Sequence, residues 1–249
     1  MTTPILDTRD VTVKFGGNVA LSEVRVDATP GLITGLIGPN GAGKTTIFNV
    51  ITGLLPPTSG HVFLDGKDVS NLPPHKRARR GLARTFQRLE LFTTLTVRDS
   101  IRVAGEIRNT WSVFGGRINA KHEAERIIDL VGLRSVADKE VSDIPTGTAR
   151  VVELGRSLIT KPTVLLLDEP ASGQTEDETE AFGQLLQRLA HQDGLAVLLV
   201  EHDMDLVMKV CERIHVLDFG RIIACGDAAD IRTNKAVLDA YLGSEAEKA

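Results

Sequence analysis

The residues Gly38-Pro39-Asn40-Gly41-Ala42-Gly43-Lys44-Thr45 place glycines, a lysine and a hydroxyl in the spacing G-x-x-x-x-G-K-[ST]. Glycines let consecutive backbone N–H groups turn inward around phosphate oxygens, and a following helix adds the positive potential of its N-terminus. In that chemistry Lys44 sets a point charge on the β- and γ-phosphates, while the Thr45 hydroxyl ligates Mg2+. The candidate nucleotide-contacting residues are Gly38, Pro39, Asn40, Gly41, Ala42, Gly43, Lys44, Thr45 and Thr46. A glycine-rich turn with a lysine facing water is the plain alternative. The context argues against it, because an apolar run precedes the loop and helical spacing follows.

A second group ends the stretch Val164-Leu165-Leu166-Leu167-Asp168-Glu169. Four apolar residues bury a strand, and its C-terminal edge presents two carboxylates where ligands collect in open α/β sheets. Asp168 would bind Mg2+, commonly through water, and Glu169 would polarise an attacking water. Solvated acids at a strand end would explain this pair if it stood alone. Ala196 to Val200 is a further apolar strand and delivers Glu201-His202-Asp203 to the same edge, where His202 can hydrogen-bond a γ-phosphate. Gln87 follows Thr85-Phe86 at the start of a helical stretch, and its side-chain carbonyl can reach both metal and water. The catalytic candidates are Glu169, His202 and Gln87; the metal candidates are Thr45, Gln87 and Asp168.

The elements that must hold these groups follow from periodicity. Val11, Val13 and Phe15 alternate with polar residues, and Leu21 to Asp27 continues in the same style, so the N-terminus reads as strands. Leu32 to Ile37 is a buried strand, and Ile47, Val50 and Ile51 mark a helix that Leu54 to Gly60 ends. Between about Gln87 and Thr160 the pattern is helical, with Ala124, Ile127, Ile128 and Val131 on one face. Asn109 to Ala120, with the single tryptophan Trp111, reads as an irregular insertion. Thr175-Glu176-Asp177-Glu178 is a capping box opening a helix with Phe182, Leu185, Leu186 and Leu189 on one face. Strands alternating with helices imply a mostly parallel sheet, with the helical middle inserted between its halves. The tail from Gly243 to Ala249 is expected to fray.

Composition bounds the rest. The chain has 249 residues, 42% hydrophobic and 25% charged, enough for one domain with an attached lobe. Twenty-nine Lys and Arg against 33 Asp and Glu give a net charge of −4, which excludes a generally basic, nucleic-acid-coating protein. The two cysteines, Cys211 and Cys225, form no metal-type spacing. No signal-peptide core is present, and no apolar run approaches the roughly 18 residues a spanning helix needs. A soluble protein that meets a membrane only by docking is the expectation. His75-Lys76-Arg77-Ala78-Arg79-Arg80 is read as a solvated helix face rather than a nucleic-acid or lipid contact.

The order of these groups (phosphate loop, glutamine before a helical lobe, Asp-Glu after four apolar residues, histidine after the next strand) resembles the ATPase subunit of ABC transporters. Ala83-Arg84-Thr85-Phe86-Gln87, Val200-Glu201-His202-Asp203-Met204 and Leu238-Asp239-Ala240-Tyr241-Leu242-Gly243 are similar to the larger ATPase subunit of branched-chain amino-acid importers. The resemblance implies an α/β fold of the P-loop NTPase kind. Residues 1–249 would form one ABC-type ATPase core, with a mostly parallel sheet, N-terminal antiparallel strands and a helical lobe inserted over 88–160. It also implies ATP and Mg2+ as cofactors, Phe15 as the aromatic stacked on adenine, and a dimer with a second ATPase subunit. Transmembrane permease subunits and, indirectly, a solute-binding protein would be partners, and nucleic acid would not. The chain would sit peripherally on the cytoplasmic side of a prokaryotic cell membrane.

One stretch departs from the family. The loop that completes the partner's nucleotide site usually reads Leu-Ser-Gly-Gly-Gln, or Leu-Pro-Tyr-Gly-Gln in these importers. Here it reads Ile144-Pro145-Thr146-Gly147-Thr148. By resemblance Thr146, Gly147 and Thr148 approach the partner's nucleotide, with one hydroxyl in place of the usual serine and glutamine contacts. Alternatives are a nucleotide-gated regulatory subunit that hydrolyses weakly, which this loop suggests and Glu169 opposes, and an ABC ATPase outside transport. A P-loop kinase would not account for His202 together with Asp168 and Glu169.

Overall fold

The computed structural model describes residues 3–111 and 116–246. Alternation gives β1 (Leu6–Phe15) a buried face carrying Leu6, Thr8, Val11 and Val13. It pairs antiparallel with β2 (Asn18–Val24) and, at its start, with β3 (Asp27–Ala28). The stretch Leu21 to Asp27, expected as one strand, breaks after Val24. The apolar run becomes β4 (Ile33–Ile37), every residue buried, and the glycine loop leads into α1 (Lys44–Thr52). That helix stops at Gly53, whose φ of 82° suits glycine, so it ends before the prolines expected to terminate it. Ser59-Gly60, read as part of a helix stop, instead begins β5 (Ser59–Leu64), which pairs with β1 on one side and β6 (Lys67–Asp68) on the other.

The basic run forms α2 (Pro74–Ala78), and here the sequence reading needs correcting. His75, Lys76, Arg79 and Arg80 are exposed, but Arg77 is 1% exposed. Its guanidinium donates to the carbonyls of Val50 (2.7 Å), Ile51 (2.7 Å), Ser70 (2.8 Å) and Leu72 (2.9 Å). Arg77 thus satisfies the open carbonyls at the end of α1. Burial brings its pKa down to about 10.

After β7 (Leu82–Arg84) the chain is helical through α3 (Val97–Trp111), α4 (Ala120–Leu130) and α5 (Thr146–Leu158). Ala124, Ile127, Ile128 and Val131 are buried, as their spacing requires. The irregular insertion is shorter than expected, because Asn109 to Trp111 are the last residues of α3; residues 112–115 lie outside the described residues. Asn109 pins the returning strand of chain through two hydrogen bonds to the backbone of Ile118, at 2.8 and 2.9 Å.

The alternating half follows: β8 (Val164–Asp168), α6 (Glu176–His191), β9 (Ala196–Val200), α7 (Met204–Val210), β10 (Arg213–Asp218), β11 (Arg221–Gly226), α8 (Ala228–Thr233) and α9 (Lys235–Ala246). Thr175 and Glu178 form the reciprocal capping box at the start of α6. Gly243 to Ala246, expected to fray, belong to α9, and residues 247–249 lie outside the described residues.

Two sheets result. One has the order β2-β1-β5-β6 with β3 beside β1, and is antiparallel; the other runs β11-β10-β4-β9-β8-β7 and is parallel except for β11. One core cluster joins both sheets with Ile47, Phe48, Val50 and Ile51 of α1. The second packs Ile101, Ile127, Val152, Leu186 and Val207 of the outer helices with Leu165, Leu167 and Leu199 of the parallel sheet. The parallel register aligns Asp168 with Val200 and Val216 with Ile37, so the C-terminal ends of β4, β8, β9 and β10 share one edge. Among the described residues no helix is long and apolar enough to cross a membrane.

Candidate active site

The glycine loop is shaped by close approach on one side and openness on the other. A Cβ on Gly38 (φ 150°) would stand 1.9 Å from the Leu217 carbonyl oxygen, and one on Gly43 (φ 112°) 2.7 Å from Leu21. Gly41 has φ 79° and open space around its Cβ position, so there backbone conformation alone selects glycine. Gly43 caps α1 with no side-chain hydrogen bond, and no acid lies in the first turn. That leaves N–H donors and the helix dipole facing the loop. Lys44 is buried and folds back, donating to the carbonyls of Gly38 (2.5 Å) and Pro39 (3.0 Å). Burial lowers its pKa, against the pull of Glu169 and Asp168.

A cavity of about 670 Å³ adjoins the loop, walled by Pro39 to Ala42, by Phe219 between β10 and β11, and by Ala236 and Asp239 of α9. Phe219 is 85% exposed and holds φ 41°, an uncommon conformation for an aromatic residue. Phe15 is exposed at the β1–β2 turn, and that hairpin packs on Gly43 through Ala20 and Leu21.

Gln87, Glu169 and His202 meet at the sheet edge. Gln87 Nε2 donates to Glu169 Oε2 at 2.8 Å, and His202 Nε2 lies 2.9 Å from Glu169 Oε1. Facing a carboxylate, that ring nitrogen carries the proton. Glu169 holds φ 51°, a strained conformation for a non-glycine, fixed by its N–H bonding to the Val200 carbonyl at 2.8 Å. Asp168 ends β8 almost wholly buried. Its Oδ2 takes a 2.7 Å ion pair from Arg84, whose other nitrogen donates to Asn49 Oδ1 of α1 at 2.7 Å. The Arg84 guanidinium also stacks near Phe48 and Phe86, 5.3 and 4.8 Å from the ring centres.

Sequence reasoning assigned no role to Arg84 or Arg150. Arg150 of α5 donates to the Phe86 carbonyl at 2.8 Å and to that of Gln87, tying the lobe to the glutamine segment. Glu201 is buried and accepts from the N–H groups of Ala171 (2.7 Å) and His202 (3.0 Å). Desolvation raises its pKa, against those donors. The parallel pairing of Arg84 with Leu166, two residues before Asp168, sets both side chains on one face, a register that no local pattern in the sequence encodes.

The departing loop opens α5, with Pro145 as cap and Thr146, Gly147 and Thr148 in the first turn. A Cβ on Gly147 would meet Gln174 Cγ at 3.1 Å and Glu178 Oε2 at 3.2 Å, so close packing within this chain also favours glycine there.

Residues 21–172 match the ABC transporter family, over more than half of the chain. The chain belongs to the ABC transporter family. It is an ATP-binding subunit of that family, an ATPase coupled to transport. Residues 221–247 of this ABC subunit also match the branched-chain amino acid ATP-binding cassette transporter family. The subunit is 36% identical to the Escherichia coli high-affinity branched-chain amino acid transport ATP-binding protein LivG, covering 98% of this chain and 99% of LivG. Its fold matches the ADP conformation of MJ1267, an ATP-binding cassette of an ABC transporter, with a TM-score of 0.86, 28% identity and coverage of 97% and 100%. It also matches the dimeric post-hydrolysis state of the cassette MJ0796 bound to ADP and Pi, with a TM-score of 0.78, 25% identity and coverage of 90% and 98%.

Proposed function

We propose that this ABC subunit powers an importer of branched-chain amino acids or a related small solute, as one half of an ATPase dimer docked on separate permease subunits. The single observation carrying the reading is the convergence of Gln87 and His202 on the two oxygens of Glu169, next to a glycine loop built for phosphate. The match over residues 221–247 and the near full-length likeness to LivG support the cargo class. A solute-binding protein would deliver the cargo, and the chain would sit peripherally at the inner face of a prokaryotic membrane.

The residues present fit ATP and Mg2+. The loop offers uncapped N–H groups, a buried lysine and the exposed Thr45 hydroxyl, while the Arg84 bond to Asp168 falls on Oδ2. Mg2+, when bound, neutralises charge on the β- and γ-phosphates. Lys44 exchanges its bonds to the Gly38 and Pro39 carbonyls for phosphate oxygens. Thr45, Gln87 and Asp168 would hold the cation. Glu169 accepts the proton of the attacking water, and His202 and Gln87 keep its carboxylate aimed. Gly38 to Thr46 wrap the phosphates, and Phe15 stacks on the base. Thr146, Gly147 and Thr148 face the nucleotide of the second subunit. Residues 88–160 move as the lobe that carries closure to the permease.

The test is reconstitution of this chain with its permease subunits in vesicles. ATP-dependent uptake of leucine, isoleucine or valine, lost in Glu169→Gln, is expected. ATPase activity that no permease couples to uptake would overturn the importer reading.

A further inference from the structure

A second cavity, of about 560 Å³, opens between the N-terminal sheet and the β10–β11 hairpin, and it holds a cysteine. Cys225 of β11 stands opposite His215 of β10 in the antiparallel register. Arg213 Nε donates to Cys225 Sγ at 3.3 Å, and the same guanidinium lies 3.4 Å from Asp27 Oδ2. His215 lines the cavity with a side chain only 4% exposed. Its Nε2 lies 3.3 Å from Asp27 Oδ1 but outside hydrogen-bonding geometry. A buried imidazole at ion-pair distance from Asp27 and cross-strand from an exposed thiol, which already receives a guanidinium bond, sets an imidazole and a guanidinium beside the sulfur. Among the described residues no cluster of His, Cys, Asp and Glu has the geometry to hold a metal ion.

We propose that Cys225 is a modification site, a thiol that hydroperoxides oxidise to the sulfenic acid with Arg213 and His215 as its activating neighbours. In the step the Cys225 sulfur attacks one peroxide oxygen, so that an S–O bond forms and the O–O bond breaks. Sulfur loses two electrons and the peroxide gains them. The leaving oxygen takes a proton from His215 and departs as water or an alcohol. Arg213 stabilises the thiolate before attack and the new oxygen after it.

The charges around the cavity agree with this assignment. His215, and after it Arg213, hold the Cys225 thiol below its ordinary pKa, against burial. Burial acts to lower the His215 pKa, but Asp27 and Cys225 outweigh it and hold the imidazole above its usual value. Asp7, Glu23, Arg25 and Arg221 also line the cavity, with Asp7 paired to Arg9 and Arg25 to Asp10. The second cysteine supplies an internal control. Cys211 is buried at the end of α7, and desolvation drives its thiol pKa strongly upward.

The experiment uses the whole chain, with iodoacetamide and hydrogen peroxide as probes and mass spectrometry of the two cysteine peptides as readout. The pH profile of Cys225 alkylation should have its midpoint below that of N-acetylcysteine. The rate at pH 7 should fall at least about threefold in Arg213→Gln and in His215→Asn, since fewer thiolates outweigh their greater nucleophilicity. Arg213 is half-exposed at the start of β10, so its variant tests the site even where loss of the buried His215 disturbs folding. Peroxide should add one oxygen to Cys225, trapped by a 1,3-dione probe, and leave Cys211 unmodified until urea unfolds the chain. A midpoint equal to that of N-acetylcysteine, rates unchanged in Arg213→Gln, or no trapped adduct on Cys225 would each overturn the proposal.

Discussion

Arg84 and Asp168 form an ion pair at 2.7 Å with side chains only 6% and 4% exposed, at the point where the glutamine segment, α1 and β8 meet. Arg84→Met would leave a buried carboxylate facing Asn49 and a methyl group. Removing one partner of such a pair costs about 3–5 kcal/mol. Urea unfolding should show that loss, and Arg84→Lys should recover part of it because one charged donor still reaches Asp168.

Lys44→Ala should abolish ATP binding at micromolar nucleotide, because the charge on the β- and γ-phosphates is gone. Fluorescence titration with a nucleotide analogue reads this directly. Unchanged affinity would remove the glycine loop from nucleotide binding.

Glu169→Gln should bind ATP as before and stop turnover, since an amide cannot take the water's proton. The variant should also accumulate an ATP-bound dimer on size exclusion. Turnover at the parent rate would take Glu169 out of the base role.

Arg77→Met should destabilise the chain by at least about 3 kcal/mol, because it leaves the carbonyls of Val50, Ile51, Ser70 and Leu72 without their guanidinium donor together. Arg79→Ala, two residues on and exposed, should change stability by no more than about 0.5 kcal/mol. Parallel urea melts distinguish a helix cap from a solvated basic face.

In a heterodimer with a second ATPase subunit, the two nucleotide sites should differ. In the proposed dimer the partner's site would be completed by Thr146-Gly147-Thr148, which lacks the serine and glutamine side chains of the usual loop. One missing hydrogen bond to a charged group costs about 1.5–3 kcal/mol, enough to slow that site tenfold or more. Glu169→Gln should therefore abolish most ATPase activity of the complex, while the matching change in the partner should spare much of it. Equal losses would show equivalent sites.

The parts legible in the sequence were those fixed by local rules. Gly38 to Thr45, the apolar run before Asp168 and the Thr175–Glu178 capping box each follow from backbone conformation or short spacing, and each stands where its pattern placed it. The parts that escaped depend on reach across the fold. Arg77 was grouped with its basic neighbours because charge counting cannot see that its guanidinium lies against the end of α1. Arg84 and Arg150 bond to groups 84 and 64 residues away, a distance no periodicity encodes. β5 was hidden by the prolines before it, which read as the stop of a helix and say nothing of pairing with β1. Gly243 to Ala246 carry small and polar residues that suggest fraying, yet the chain continues helical there.

Helix α5 has a consequence for timing. Its first turn carries Thr146-Gly147-Thr148, and Arg150, roughly one turn further along, grips the carbonyls of Phe86 and Gln87. In the proposed dimer, the end of this rod that touches the neighbour's nucleotide and the hook that positions this chain's own glutamine cannot move separately. Loading of one subunit is thereby felt, within a single helical turn, at the catalytic carboxylate of the other. A pair of such subunits would then behave as an escapement: each would wait on engagement of the other, and the stroke delivered to the membrane would be a shared one.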